Sequence, residues 1–320
     1  MIKFAIIGTG SIAHEHAKAI KEIKDAELVA VLSSSEERAK KFSEEYKIKA
    51  FINYDELLNE EVDAIDIACM NYLHADYGIK AALHGKHVLV EKPLDVSLEK
   101  AKKLIDVCEK QKVMLSTISQ HRYDGAIIHL KRLIAKGKLG EIINVRVSIG
   151  KHRSKQYYLN SNQWRASPNK CGGGIFLMYG IHYIDVMSWL FGDVESVVAK
   201  MSNVKHKIEV EDTAEALYKF KNGTNFRIEV TSALTKNRPD MIEVHGTKGS
   251  YIIRYFKFGS ITNKIPFLFK VGKIKNQVEE FTKAIKAVEE SYIVEEDGLT
   301  ALRLVLAAYD SHNKNKIIKC

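Results

Sequence analysis

The sequence predicts an α/β protein with two domains, the first built on a doubly wound parallel sheet and the second rich in strands. Short apolar strands alternate with helical patterns up to about residue 120, the order typical of a parallel sheet. From Val194 to Ile253 strands predominate, with a hairpin signal at Asn222-Gly223. Because 320 residues exceed one ordinary domain, we predict domains at 1–120 and 121–320.

A glycine-rich turn follows the first predicted strand. The apolar run Phe4 to Ile7 leads directly into Gly8-Thr9-Gly10-Ser11-Ile12-Ala13, and apolar residues at helical spacing come next. A G-x-G-x-x-A turn between a strand and a helix is typical of dinucleotide binding. Gly8 permits the tight turn, Gly10 lets the backbone approach a pyrophosphate, and the helix that opens at Ser11 and Ile12 receives the anion. The alternative is a tight turn with a structural role alone.

Three serines follow the second strand, Leu28 to Leu32, where a carboxylate would normally bind the ribose 2′-hydroxyl. Without an acid at Ser33 or Ser34, nothing repels a 2′-phosphate, and Arg38 lies downstream as a partner. The cofactor is therefore NAD or NADP, with a lean to NADP. Alternatively, a serine caps the next helix and the basic residues form a solvated face.

The other predicted elements follow in chain order. Strands alternate with helical patterns in the order Ala64 to Cys69, Ala75 to Leu83, His87 to Val90, Leu98 to Cys108 and Val113 to Thr117. Further on, the sequence predicts a helix at Ile127 to Ile134, a strand at Ile142 to Ile149, and helices at about Asn276 to Val288 and Glu295 to Ser311.

Composition favours a soluble enzyme without a metal. The four cysteines are scattered without C-x-x-C spacing, so we expect neither a disulfide framework nor a metal site. We find no apolar stretch of membrane-spanning length and no signal-peptide pattern, which predicts a cytoplasmic protein without a membrane partner. The formal net charge of +9 is mixed with acidic residues, so we expect no nucleic-acid partner.

Several ordered motifs together resemble the Gfo/Idh/MocA oxidoreductase family. They are Gly8 to Ala13, Asn71-Tyr72-Leu73-His74, Glu91-Lys92-Pro93, Gly172-Gly173-Gly174, Gly180-Ile181-His182-Tyr183-Ile184-Asp185 and Val210-Glu211-Asp212-Thr213-Ala214. The resemblance implies a Rossmann domain, then an α+β domain with a large open, mainly antiparallel sheet that closes over the nicotinamide. It also implies that the closing helix, about 295–312, packs back on the first domain.

The resemblance also implies roles for individual residues. Lys92 would lie near the nicotinamide and the reacting carbon, where a cation stabilises a developing alkoxide. Glu91 would orient it, and the Lys92-Pro93 bond would be cis. A lysine leaving a strand at the surface is the alternative. The residues implied to lie beside the cofactor are Asn71, His74, Glu91, Lys92, Gln120, Trp164 and Arg165.

His182 is the predicted proton-transfer residue. In much of the family an acid lies one helical turn before this histidine, but here position 178 is Met. Sugar-nucleotide 3-dehydrogenases, which this chain resembles, also lack the acid and work with lysine and histidine. Tyr179 is the fallback proton donor or acceptor. A core histidine that bonds a loop carbonyl is the alternative for His182.

Other polar residues are predicted to contact the substrate. Arg122 would bind a phosphate or carboxylate, or would pair structurally, and Asp185 would orient His182 or touch the substrate. Tyr123 lies beside Arg122 at the predicted domain junction, where clefts form. The predicted substrate-binding residues are Lys92, Arg122, Tyr123, Met178, His182 and Asp185.

The sequence therefore predicts an NAD(P)-dependent oxidoreductase that acts on a hydroxyl or ketone of a sugar nucleotide or modified sugar. An NAD-dependent glycoside hydrolase, which oxidises, eliminates and re-reduces, is one alternative. A dinucleotide-binding sensor without catalysis is the other. The exposed face of the second sheet predicts a homodimer or homotetramer.

Overall fold

The structure is a computed structural model that describes residues 1–159, 163–256, 259–263, 269–286 and 295–320. The end of the predicted helix at Val288 lies outside the described residues. The chain forms two compact units. One comprises Met1–Gln120 and Lys273–Leu299, and the other comprises His121–Gly272 and Thr300–Cys320.

In the described part of the first unit, six parallel strands form one sheet. They are β1 (Ile2–Ile7), β2 (Ala26–Leu32), β3 (Lys49–Phe51), β4 (Ala64–Ile67), β5 (His87–Val90) and β6 (Leu115–Thr117). Their order, β3-β2-β1-β4-β5-β6, reverses direction beside β1, as in a doubly wound sheet. The predicted parallel sheet is confirmed.

Helices follow the strands of this unit and pack on the sheet. They are α1 (Ser11–Lys21), α2 (Glu36–Tyr46), α3 (Tyr54–Leu58), α4 (His74–Leu83) and α5 (Leu98–Gln111). Ser35 and Ser97 accept backbone N–H bonds from the first turns of α2 and α5, which satisfies donors that a helix start leaves open. The inward face of α1 joins Phe4 and Ile6 in the core.

A late segment of the chain completes the first unit. The sequence assigns residues 273–299 to the second domain, whereas in the structure they belong to the first unit. Helix α10 (Ile274–Ile285) contributes Val278 and Phe281 to the core around Phe4. The side chain of Gln277 accepts the Ser119 N–H at 2.6 Å and donates to the Thr117 carbonyl at 2.5 Å, so α10 is hydrogen-bonded beside β6.

In the described part of the second unit, eight strands form a mainly antiparallel sheet, as expected. They are β7 (Ile142–Gly150), β8 (Val194–Ser202), β9 (Thr213–Phe220), β10 (Asn225–Thr231), β11 (Met241–Gly246), β12 (Gly249–Phe256), β13 (Gly259–Thr262) and β14 (Ile318–Lys319). Their order is β13-β12-β11-β7-β10-β9-β8-β14, and β7 and β10 form the parallel pair. The hairpin between β9 and β10 turns at the predicted Asn222-Gly223.

The described helices of the second unit differ in length. They are α6 (Gly125–Ala135), α7 (Lys155–Leu159), α8 (Pro168–Cys171) and α9 (Ile181–Phe191), with α11 (Glu295–Lys314) beginning in the first unit's range. A π-helical turn, Phe176–Gly180, precedes α9. The stretch Pro168–Phe191 has the length and apolar composition of a membrane span, but 67% of its apolar window is buried inside the protein, as in a core helix.

Candidate active site

The glycine turn of the first unit has the backbone geometry of a dinucleotide cradle. Gly8 has a φ of 118°, and a Cβ there would lie 2.3 Å from the Ala68 carbonyl oxygen, so glycine is required. At Gly10 a Cβ would meet no protein atom within 4 Å, so the backbone faces open space. Gly10 is the extended N-cap of α1 and makes no side-chain cap. The first N–H groups of α1 are therefore available to an anion.

The end of β2 combines features of both interpretations of the serine run. Ser35 caps α2 by accepting the Arg38 N–H at 3.4 Å, which supports the capping interpretation. The Arg38 guanidinium also donates to Ser34 Oγ at 3.4 Å, on the exposed side of the turn. Ser33 is buried, with its Oγ 3.3 Å from Thr9 Oγ1 of the glycine turn. A cation and a serine hydroxyl therefore meet where a ribose 2′-substituent is recognised in such folds.

Glu91 and Lys92 directly follow β5, at the edge of the sheet where its parallel strands end. Glu91 is buried, and its Oε2 accepts the Lys92 backbone N–H at 3.0 Å. The Lys92–Pro93 peptide bond is cis. The Lys92 side chain is half-buried. Burial would raise the pKa of Glu91, but His16 and then Lys92 bring it below its ordinary value.

A buried charge network supports this segment, and the sequence analysis missed it. His16 on α1 lies between two carboxylates, with Nδ1 2.7 Å from Asp66 Oδ2 and Nε2 3.0 Å from Glu91 Oε1. His16 and Asp66 are 0% exposed. Burial alone would lower the pKa of His16, but Asp66 and Glu91 raise it to about 10. His16 is therefore an imidazolium that joins the dinucleotide helix to the residue before Lys92.

This network predicts a pH dependence of stability. The pKa of His16 is raised above its ordinary value of 6.5 to about 10, so its stabilisation is complete below about pH 6.5 and declines as pH rises toward 10. We expect His16→Gln to unfold at lower denaturant concentration than wild type at pH 6, and we expect the difference to shrink with rising pH. Urea unfolding at several pH values measures it.

The control for this prediction is His84→Gln, because His84 is an exposed histidine of the same unit. That variant should differ little from wild type at every pH. A stability difference for His16→Gln that stays constant from pH 6 to pH 10 would contradict a buried imidazolium.

His74 bonds the backbone of the Glu91-Lys92-Pro93 segment, and Asn71 lies three residues before His74. His74 is 0% exposed, and its Nδ1 donates to the Pro93 carbonyl at 2.7 Å. Burial lowers its pKa, so the ring is neutral near pH 7. Asn71 begins a short 3-10 turn before α4 and is 7% exposed. The structure thus shows His74 holding the backbone after Lys92, and the cofactor contact implied for both residues remains a prediction.

The first unit fits a bound dinucleotide. The cradle at Gly10 is open, and the Gln120 Oε1 atom is buried with no hydrogen-bond partner among the described residues. Gln120 follows β6, so it lies at the same strand-end edge of the sheet as Lys92. An unsatisfied buried acceptor at this edge is expected where a ligand supplies the donor.

In the second unit, a buried carboxylate fixes the turn that bears Met178 and Tyr179. Glu211 accepts the backbone N–H groups of Gly174 and Phe176, both at 2.9 Å, and the Tyr309 hydroxyl at 2.8 Å. Its burial raises its pKa despite these bonds. A Cβ at Gly174 would lie 1.9 Å from the Glu211 carbonyl oxygen, which explains why these two motifs occur together.

Met178 lies in the π-helical turn, and His182 lies in the first turn of α9. A π-helix bonds residue i to i+5, which makes this turn wider than a turn of an α-helix. Met178 and His182 are both half-buried. The resemblance implies one helical turn between positions 178 and 182, and in the structure the change from the π-helical turn to α9 lies between them.

His182 has a second histidine as its neighbour. The rings of His182 and His121 meet edge to face, with centroids 5.2 Å apart. His121 Nδ1 lies 2.8 Å from Asp124 Oδ2, and Asp124 also accepts the Tyr255 hydroxyl at 2.8 Å. Burial lowers the pKa of His121, but Asp124 raises it above its ordinary value. Position 178 has no carboxylate, but Asp124 lies near His182 through the ring of His121.

Arg122 and Asp185 form a buried ion pair. Arg122 Nε lies 3.0 Å from Asp185 Oδ2, and Nη2 lies 2.5 Å from Oδ1. Arg122 is 1% exposed and Asp185 is 4% exposed. Of the two alternatives for Arg122, the geometry supports structural pairing, and the substrate contacts expected of Arg122 and Asp185 remain predictions. Tyr123 is half-buried beside them.

The other predicted residues of this unit lie around Tyr157. The Tyr157 hydroxyl lies 4.0 Å from Met178 Sδ, and the Arg165 guanidinium lies over the Tyr157 ring. Trp164 also faces Arg165, at 4.6 Å from ring centroid to Cζ. The structure therefore groups Trp164 and Arg165 with Met178.

Two protein-family models match most of this chain. The model of an oxidoreductase family with an NAD-binding Rossmann fold matches residues 2–119. The model of the GFO/IDH/MocA C-terminal domain matches residues 127–252. The two matches follow the order predicted from the motifs.

Individual relatives are sugar oxidoreductases. Glucose-6-phosphate 3-dehydrogenase of Bacillus subtilis is 37% identical over 234 residues, which cover 69% of this chain and 65%, just under two thirds, of that protein. The 1,5-anhydro-D-fructose reductase of Ensifer adhaerens is 30% identical, covering 79% of this chain and 76% of its own. The WlbA dehydrogenase from Bordetella pertussis, solved with NADH and UDP-GlcNAcA, matches with a TM-score of 0.92 and 26% identity, covering 100% of this chain and 98% of that one.

Proposed function

Because this chain belongs to the Gfo/Idh/MocA family of NAD-dependent oxidoreductases, we propose that it transfers a hydride between the nicotinamide and a hydroxyl-bearing carbon of a modified sugar, such as a sugar nucleotide. The single observation behind this proposal is the Glu91-Lys92 segment. It places a half-buried cation at the strand-end edge of the sheet that bears the dinucleotide turn. Relatives with sugar substrates support the same class of reaction.

The cofactor would be held by residues at the strand-end edge of the first sheet. The glycine turn would hold the pyrophosphate on the N-terminus of α1. The bound nicotinamide supplies the hydride acceptor or donor. The proposed contacts from the first unit are Gly8, Gly10, Ser11, Ile12, Ser33, Ser34, Arg38, Asn71, His74, Glu91, Lys92 and Gln120. The contacts that the family resemblance implies from the second unit are Trp164 and Arg165.

Lys92 and His182 would have different roles in the reaction. The ammonium group of Lys92 would stabilise the negative charge that develops on the substrate oxygen. His182 would take the hydroxyl proton during oxidation and return it during reduction. Tyr179 is the fallback, although its hydroxyl accepts a hydrogen bond from Arg153. In the second unit Met178 and His182 would also face the substrate, whereas Arg122 and Asp185 would support α9.

We expect NADP(H) to bind at least as tightly as NAD(H). Positions 33 and 34 are serines, so no carboxylate repels a 2′-phosphate there. The Arg38 guanidinium donates to Ser34 Oγ and would bind that phosphate. Ser33→Asp should shift the preference to NAD by repelling that phosphate. Fluorescence titration of both proteins with both cofactors measures the change. A strong wild-type preference for NAD, the cofactor class present in the WlbA structure, would remove this argument.

The reaction class is tested by screening sugar nucleotides, sugar phosphates and free aldoses with NAD and NADP. A change in nicotinamide absorbance with one substrate group supports a dehydrogenase. Retained NAD with substrate cleavage and no net nicotinamide turnover would indicate the glycoside hydrolase instead. Tight cofactor binding without any reaction would indicate the sensor.

The second sheet supports a further proposal of self-association. On its outer face Val198 and Leu217 lie opposite each other and are 38% and 45% exposed. Arg227 and Arg146 continue the same row with exposed ion pairs. The exposed apolar pair on this face supports self-association, and we propose a cytoplasmic homodimer or homotetramer.

A further inference from the structure

Two arginines of the second unit are partly buried without a carboxylate partner. In the part of the chain that the structure describes, Arg153 and Arg165 are half-buried and lie within ion-pair distance of no acid. Three other arginines have carboxylate partners, namely Arg122, Arg146 and Arg227. The described arginines that lack such a partner are otherwise exposed, namely Arg38, Arg132, Arg238, Arg254 and Arg303.

The two guanidinium groups share one aromatic ring. Arg153 Cζ lies 5.1 Å and Arg165 Cζ lies 5.0 Å from the centroid of Tyr157. Arg153 also lies 5.2 Å from the ring of Tyr179 and donates to its hydroxyl and to the His152 carbonyl. We call Arg153, Arg165, Tyr157 and Tyr179 the arginine-tyrosine cluster.

Positive charge in this cluster is not neutralised by the protein. The Nε atoms of Arg153 and Arg165 are buried without a hydrogen-bond partner among the described residues. The neighbouring cation Lys151 is already paired, because its Nζ lies 2.7 and 2.8 Å from the two oxygens of Asp240. Two desolvated like charges around one ring are unfavourable unless an anion lies between them.

The cluster adjoins the residues proposed to face the substrate. Tyr179 follows Met178 in the π-helical turn, and the Tyr157 hydroxyl lies 4.0 Å from Met178 Sδ. Met178 brings no negative charge to this position, so an anion that pairs with these arginines would come from a ligand. We propose that the arginine-tyrosine cluster is a subsite for a phosphoryl group of the sugar substrate, with Arg153 as its principal ligand. This subsite rests on the proposed function.

Charge and geometry favour a phosphoryl group over a carboxylate. A phosphate monoester bears close to two negative charges near pH 7, which matches two guanidinium groups, whereas a carboxylate bears one. Guanidinium nitrogens also match the oxygens of a phosphate in pairs. The phosphoryl group belongs either to a sugar phosphate or to the diphosphate of a sugar nucleotide. Arg165 has a cofactor contact proposed above, so Arg153 is the residue to test.

The test measures binding by calorimetry to protein saturated with NADH, which fills the dinucleotide cradle and cannot accept a hydride from a sugar hydroxyl. The probes are glucose 6-phosphate, UDP-glucose and glucose. We expect Arg153→Gln to weaken binding of at least one phosphorylated probe about tenfold or more, and Arg153→Lys to weaken it less. The matched control is Arg254→Gln, because Arg254 is exposed on β12 and should leave the Kd of every probe unchanged.

The pattern of loss identifies the source of the phosphoryl group. A loss confined to glucose 6-phosphate indicates a monoester, and a loss confined to UDP-glucose indicates a diphosphate. A wild-type protein that binds glucose as tightly as both phosphorylated probes would overturn the subsite, as would an Arg153→Gln variant with wild-type Kd values. Thermal unfolding of each variant checks that it is folded.

The assay measures binding and not turnover. Its result can therefore contradict the phosphoryl subsite without contradicting the proposed reaction, and the reverse. Protein that binds phosphorylated probes through Arg153 but oxidises none of them supports the subsite and contradicts the proposed reaction. Protein that oxidises sugars with no dependence on Arg153 or on phosphorylation supports the reaction and overturns the subsite.

Discussion

Replacing Lys92 with methionine should lower turnover about a hundredfold or more, while the protein stays folded. Methionine keeps much of the side-chain length but removes the cation that would stabilise the developing alkoxide. The segment around it depends on the Glu91 carboxylate and the Lys92 backbone N–H, and the substitution retains both. Steady-state kinetics with the substrate found by screening measures the loss in kcat.

A second lysine of the same unit provides the control. Lys100 on α5 is exposed and pairs with Asp76, so Lys100→Met should leave kcat close to the wild-type value. Circular dichroism and cofactor titration establish that the Lys92 variant is folded and binds dinucleotide. Near-normal turnover in folded Lys92→Met would mean that Lys92 is a surface lysine at a strand end.

His182→Asn should abolish most turnover, because asparagine cannot take up and release a proton near pH 7. The effect should be larger than that of Met178→Asp on the same substrate. An acid at position 178 would favour an imidazolium and bind a hydroxyl. We therefore expect Met178→Asp to show an altered pH-rate profile or new activity toward polyols.

Tyr179→Phe separates the two candidates for proton transfer. If His182 is the proton-transfer residue, the phenylalanine variant should retain most of its kcat, with pH dependence near that of wild type. Full activity of His182→Asn combined with an inactive Tyr179→Phe would assign the role to Tyr179. Because Arg153 donates to the Tyr179 hydroxyl, a change in KM alone for Tyr179→Phe would reflect the phosphoryl subsite instead.

The sequence predicts most of the first sheet because its signals are local. Strands such as β1 and β5 are short apolar runs, and α2 and α5 begin with the recognisable caps Ser35 and Ser97. The glycine turn is predictable for the same reason, since Gly8 must adopt a positive φ. The hairpin at Asn222-Gly223 likewise depends on turn residues that lie next to each other in the chain.

Contacts between distant residues were not predictable in the same way. His16 lies on the inward face of α1, in line with Ala13 and Ile20, and Asp66 interrupts an apolar strand. Two polar residues at buried positions were a signal, but nothing in the sequence shows that they meet at Glu91. The π-helical turn before α9 has a similar origin, because Glu211 bonds its backbone from far along the chain.

The position of α10 sets the order in which the first unit can be assembled. Residues 1–120 supply all six described strands of its sheet, but Val278 and Phe281 of its core are synthesised much later. Until Gln277 is available, the Ser119 N–H and the Thr117 carbonyl lack this partner beside β6. Contacts so distant in sequence are slow to form, since the entropy of closing the loop must be overcome first. During synthesis the apolar surface that α10 covers therefore stays exposed until residues 121–272 have been translated.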